Sequence, residues 1–155
     1  MFDADVGDGK AYRESDHFRP GTEIVDVQTP IGHIGLSVCY DVRFARLYRQ
    51  LAKRGAEILT IPAAFTRTSG QAHWHVLQRA RAIETGCFVL ASAQIGTHDD
   101  GRQTYGHSLI INPWGEVLAD AGTLEEGFVM AEIDLSEVAA ARQKIRNLQH
   151  DPDYR

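Results

Sequence analysis

The stretch "HIGLSVCYDVRFARLYRQLAKRGAEILTIP", residues 33–62, constrains this chain more than any other. Its first seven residues alternate. Ile34, Leu36 and Val38 point one way; His33, Gly35, Ser37 and Cys39 point the other, which is the period of a strand. Asp41 is placed to cap a helix from about Val42 to Arg54, and Gly55 sits where that helix would end. "EILTIP" then reads as a strand whose nearly continuous apolar run is typical of a buried one. Strand, helix and buried strand in series call for a layered α/β arrangement.

The flanks extend this order. Residues 1–22 are polar and rich in Gly and Asp, and read as loop; "EIVDVQTP" is a short strand. After the loop "AAFTRTSG", Ser69 or Gly70 opens a second helix with Val76, Leu77, Ala80 and Ile83 as its apolar positions and Gly86 as its stop. "CFVLASAQ" is another buried strand. "HSLIIN" and "EVLAD" form a hairpin around "PWG", "FVMAEID" is the last strand, residues 134–146 a helix, and "NLQHDPDYR" a polar tail. The class is mixed α/β rather than a clean parallel alternation.

With 155 residues, 43% of them hydrophobic, one domain with a real core is expected. The net charge of -5 has interspersed signs and no basic stripe, which argues against nucleic acid. No apolar run approaches the roughly 20 residues of a membrane span. The first residues carry neither the basic nor the apolar region of a secretory signal. The two cysteines, Cys39 and Cys87, lie far apart and lack metal-type spacing, so a reducing, cytoplasmic setting is expected.

Cys39 ends a strand just before a helix, where partial positive charge and free N–H groups favour a thiolate, and where the N–H of Tyr40 could serve an oxyanion. The local pattern fits a nucleophile or a buried structural thiol alike. Cys87, at the head of a buried strand, reads as a core thiol. His73 and His75 are two apart on a helix and point in different directions, without the i, i+4 spacing of a helical zinc site, so no metal is expected. A Cys39–His107 dyad stays open. "GDG" and "GHIG" do not fit phosphate-loop spacing. "RARAIE" reads as an ion-paired surface or an interface, and Trp114 as a hairpin residue.

In series, "TPIGHIGLSVCYDVRF", "IPAAFTRTSGQAHWHVLQRARAIETGCFVLASAQIG" and "YGHSLIINPWGEVLAD" resemble the nitrilase, or carbon–nitrogen hydrolase, superfamily. The likeness is greatest to its Nit-type amidases, which act on deaminated glutathione or other omega-amides of dicarboxylic acids. The resemblance implies an αββα sandwich that forms homodimers or larger homo-oligomers, and a cofactor-free attack of a cysteine on a small-molecule amide through a thioester. It assigns Cys39 as nucleophile, Glu14 in "YRESDHF" as the supporting glutamate, and the Tyr40 N–H to the oxyanion. It assigns Ala64, Phe65 and Thr66 to a pocket wall. Arg43 matches an arginine that meets a substrate carboxylate in some relatives; a salt bridge within the helix is the other reading.

The sequence departs from the family in two ways. His75 stands where the family usually has glutamate after "HW". The family's catalytic lysine lies just before a Phe-Asp like Phe2-Asp3, and its general-base glutamate further upstream; neither falls within this sequence, and Lys10 and Lys53 are poor substitutes. The expectation is therefore an N-terminally truncated hydrolase domain over residues 1–150 with a tail at 151–155. Alone, it should be poorly soluble or oligomeric and nearly inactive. The alternative is a non-catalytic assembly module that pairs with a full-length relative.

Overall fold

The computed structural model describes residues 1–150 except positions 8, 10, 124 and 125. Lys10 and the expected tail at 151–155 lie outside the described residues. The strands in chain order are β1 (Asp3–Asp5), β2 (Ala11–Arg13), β3 (Asp26–Thr29), β4 (Gly32–Leu36), β5 (Ile58–Thr60), β6 (Phe88–Ala91), β7 (Ile95–Thr97), β8 (Gln103–Tyr105), β9 (Leu109–Ile111) and β10 (Val117–Asp120). The helices are α1 (Ala45–Lys53), α2 (Arg67–Thr85) and α3 (Ser136–Lys144).

Six strands form one sheet in the order β10-β9-β6-β5-β4-β3. The central β4, β5 and β6 run parallel, and the outer neighbours antiparallel. The class is mixed α/β, as expected. Of the two sheets of an αββα sandwich, the described residues form one six-stranded sheet and two two-stranded ribbons, β1-β2 and β7-β8.

Alternation along β5 and β6 explains their unbroken apolar runs. Leu59, Val89 and Ala91 join the core shared with Leu51 of α1 and Trp74 of α2. Ile58 and Phe88 point the other way and meet Val138 of α3. Both faces of these strands are therefore covered, as parallel strands require. In β4 the apolar set is the more exposed one: Gly35 and Ser37 are buried, while Leu36 and Val38 face out. Gly35 permits this. A Cβ there would come within 3.1 Å of Leu51 and Leu59, so its bare backbone lets α1 lie close.

Several elements depart from the periodicity. The single helix expected at 42–54 is a 3₁₀ turn at Cys39–Arg43 followed by α1, because Asp41 turns back to accept the Val38 N–H at 2.9 Å. α2 starts earlier than Ser69: Thr66 is its cap and accepts the Ser69 N–H. Gly86, at φ 62°, ends it in the left-handed conformation that glycine tolerates. "FVMAEID" is not a strand; Phe128 and Met130 are 83% and 80% exposed. The ribbon β1-β2 lies within the expected N-terminal loop.

The buried face of α2 is also not the expected stripe. Val76 and Ile83 are 67% and 47% exposed, whereas Trp74, Gln78, Arg81, Ala82 and Thr85 are buried. Arg81 can be buried because its Nε–H donates to the Val42 carbonyl at 2.8 Å, its guanidinium pairs with Glu84, and it lies over the Tyr48 ring. "RARAIE" thus carries an ion pair, Arg81 with Glu84, and exposes Arg79 and Ile83, but Arg81 and Ala82 belong to the core. Cys87 is a core thiol, with Arg142 donating to its sulfur at 3.1 Å. Among the described residues, no helix is long and apolar enough to cross a membrane.

Burial raises the titration of Cys39, Cys87 and Tyr48 above their ordinary values of 9.0, 9.0 and 10.0. Each is neutral when protonated, so the folded state holds the proton more tightly than the unfolded chain. Stability is intact below those ordinary values and falls as pH rises past them. The urea midpoint is expected to drop steadily from about pH 9 upward; a midpoint flat across that range would contradict this packing.

Candidate active site

The site lies at the carboxyl ends of β4, β5 and β6, where open α/β sheets place their ligand crevices. Three loops interlock there. The Cys39 N–H donates to the Pro62 carbonyl at 2.8 Å, Ala63 N–H to Ser92 O at 2.8 Å, and Gln94 N–H to Ala63 O at 2.9 Å. Val38 is extended, and then Cys39 turns to φ 47°. A non-glycine residue there costs on the order of 1–3 kcal/mol and persists only when its surroundings hold it. Here the Pro62 bond and the Asp41 carboxylate hold both sides of the elbow.

The elbow presents the half-buried Cys39 to an open cleft of about 1530 Å³, also lined by Glu14, Tyr40, Ala64 and Gln94. The backbone N–H groups of Ala64 and Tyr40 face the sulfur and favour its charged form, against the effect of burial. The Tyr40 N–H is the one expected to serve an oxyanion; that of Ala64 lies beside it. Pairs of such donors stabilise charge on an oxygen forming at that point.

Glu14 follows β2 and is held by the Phe2 backbone: Phe2 N–H donates to Glu14 Oε2 at 2.6 Å, and Glu14 N–H to Phe2 O at 3.2 Å. The Phe2 ring sits 5.3 Å from that of Tyr40 and 5.0 Å from that of Tyr12, docking the ribbon onto the elbow. Glu14 is close enough to act on the thiol through its charge.

The thiol is not poised as a thiolate in this structure. Burial is the main cause that pushes it up; the charges of Glu14 and Asp41 add to it, and the two N–H donors only partly oppose them. The expected help from a helix N-terminus is reduced to a short 3₁₀ turn. Lys53 ends α1, away from the lining of the cleft.

The other expected residues separate. Ala64 lines the cleft, but Phe65 is buried against Trp74 at 4.9 Å between ring centroids and Thr66 caps α2. Arg43 makes no salt bridge within its helix among the described residues. Its guanidinium lies over the Phe65 and Tyr40 rings at 5.2 and 5.6 Å and reaches His73 Nδ1 at 3.4 Å. Among the described residues, the arginines lining the cleft are Arg13 and Arg102. His107 bonds Asp120 at 2.8 Å and packs on His75 and Tyr105, so its ring is engaged outside the Cys39 site.

Residues 1–143 match the carbon-nitrogen hydrolase family. The chain is 47% identical over 152 residues to a deaminated glutathione amidase of Synechocystis, covering 97% of this chain and 56% of that protein. The crystal structure of the C. elegans NitFhit protein superimposes with a TM-score of 0.85 at 46% identity, covering 97% of this chain and 37% of that one. A Nesterenkonia amidase, described with the acetamide moiety of fluoroacetamide covalently added at its active site cysteine, matches with a TM-score of 0.65 at 28% identity over 71% of this chain and 41% of that chain. The chain spans about half the length of the amidase relative it matches. It belongs to the carbon-nitrogen hydrolase family.

Proposed function

We propose that this chain carries the nucleophile of an amidase acting on a non-peptide amide, an omega-amide of a dicarboxylic acid or deaminated glutathione. The observation that carries this is Cys39 itself: a thiol at positive φ, facing a cleft on the carboxyl ends of parallel strands that Tyr40 and Ala64 also line. The sulfur attacks the amide carbon, and the carbonyl oxygen gains negative charge near the Tyr40 and Ala64 N–H groups. The C–N bond then breaks; the proton lost by the thiol is matched by one gained on nitrogen, and ammonia leaves. Water hydrolyses the thioester to the acid. Glu14 positions the elbow through Phe2. The names of the amidase relatives support the substrate class.

Reaction by this chain alone is slow on this reading, because carboxylates rather than cations dominate the charge felt by the thiol. Glu14→Gln removes one of them. The variant is expected to alkylate with iodoacetamide about two- to fivefold faster at pH 7.5, through a larger thiolate fraction. An unchanged or slower rate would remove Glu14 from the electrostatics of Cys39. The amidase reading is tested by ammonia release from omega-amides of dicarboxylic acids against simple aliphatic amides. Preference for the former supports it; release that does not depend on the second carboxylate contradicts the substrate class. The outward Val76 and Ile83 of α2 favour a second reading, an assembly module, which expects no substrate-dependent acylation at all.

A further inference from the structure

His75, His107 and Asp120 stand together outside the Cys39 site, their donor atoms all within 4.8 Å of one another. They come from three places: α2, the segment between β8 and β9, and the end of β10. His75 Nε2 lies 3.0 Å from Asp120 Oδ2, and His107 Nδ1 lies 2.8 and 3.0 Å from the two Asp120 oxygens. Both imidazoles thus aim a ring nitrogen at one carboxylate, and their ring centroids are 4.7 Å apart.

The surroundings fix the arrangement. His107 sits at φ 57°, held there by donating its N–H to Gly122 O at 2.8 Å and accepting the Trp74 indole N–H on its carbonyl at 2.7 Å. Asp120 Oδ1 also accepts the Gly122 N–H at 2.8 Å. Tyr105 packs against the His107 ring at 4.5 Å. The three side chains are 20–32% exposed, so they are framed by protein yet open to an entering ion.

We propose that these residues form a divalent metal site, with zinc as the ion that suits them best. Two neutral imidazoles and a carboxylate are the borderline donor set zinc takes, at about 2.0–2.2 Å each, which places tetrahedral donors about 3.3 Å apart. The contacts to Asp120 need only small adjustment to reach that spacing, and the two histidine nitrogens a modest approach. Three protein donors leave a fourth position for water. Bound there, the ion ties α2 to the β9-β10 hairpin.

The test adds zinc chloride to the full chain with imidazole nitrogens followed by ¹⁵N NMR. Saturation at one equivalent, with His75 Nε2 and His107 Nδ1 shifting together, is the expected result. Titration calorimetry in the Cys39→Ser background, which removes the competing thiol, should show His75→Gln weakening zinc at least tenfold, since even outer partners of metal ligands cost about 10–100-fold. Gln retains a polar contact to Asp120, and thermal melting confirms that the variant folds. Absence of paired shifts at one equivalent, or His75→Gln binding zinc as tightly as its parent, would overturn the proposal.

Discussion

Cys39→Ser is expected to abolish the slow substrate-dependent ammonia release of this chain, leaving only the assay background. The substitution changes one atom at an elbow whose backbone contacts stay in place: Cys39 N–H to Pro62 O, and Val38 N–H to Asp41. What is lost is the ability to form and expel a thioester. A serine hydroxyl with no adjacent base is a poor nucleophile. Cys87 serves as an internal control. It is fully buried against Ala56 and Arg142, so in the folded protein iodoacetamide should mark Cys39 alone. Activity surviving in Cys39→Ser would place the chemistry elsewhere.

Trp74→Ala is expected to destabilise the fold by about 3–5 kcal/mol. Trp74 is wholly buried at the centre of α2 and packs on Phe65, next to the Ala64 that lines the Cys39 cleft. Its indole N–H also satisfies the His107 carbonyl at 2.7 Å. Truncation opens a cavity and leaves that carbonyl unpaired, which adds about 1–3 kcal/mol where the cavity stays dry. Against a total of about 5–15 kcal/mol for a domain, the variant should be partly unfolded near room temperature or melt far earlier. Urea denaturation reads this directly. A loss under about 1 kcal/mol would mean that Phe65 and the Ala64 loop do not depend on α2.

The parts of this fold legible in the sequence are those where local pattern and packing agree. β5 and β6 show as apolar runs because both of their faces are covered, one by α1 and α2 and the other by α3. The "PWG" hairpin and the Gly86 stop follow from turn and cap chemistry. α2 defeats periodicity because its inward face carries Arg81 and Gln78. Arg81 is satisfied by the Val42 carbonyl and Glu84, partners distant or unmarked in sequence. Gln78 is fully buried, and neither of its amide atoms has a partner among the described residues. "FVMAEID" has the composition of a strand but no neighbour to pair with among the described residues, and composition alone does not make a ladder.

The site divides in the same way. Cys39, Tyr40, Ala64 and Glu14 line one cleft. The closeness of the Ala64 N–H to Cys39 was hidden because it depends on how the β5 loop folds against the β4 elbow, where Cys39 N–H donates to Pro62 O. Arg43 could not be placed from spacing, because its stacking on Tyr40 and Phe65 is set by the 3₁₀ turn that replaces the start of the expected helix. The His75–Asp120–His107 cluster joins three distant segments, and no local spacing announces it.

The central claim is that Cys39 is the atom that captures an amide carbon, and its most direct test is the covalent intermediate. The full chain is incubated for hours with an omega-amide of a dicarboxylic acid, quenched in acid, digested and read by mass spectrometry. The account predicts an acyl group on the Cys39 peptide, removable by hydroxylamine and absent from Cys39→Ser. Ammonia released with no acyl group passing through Cys39, or no acylation of Cys39 at any substrate concentration, would contradict it.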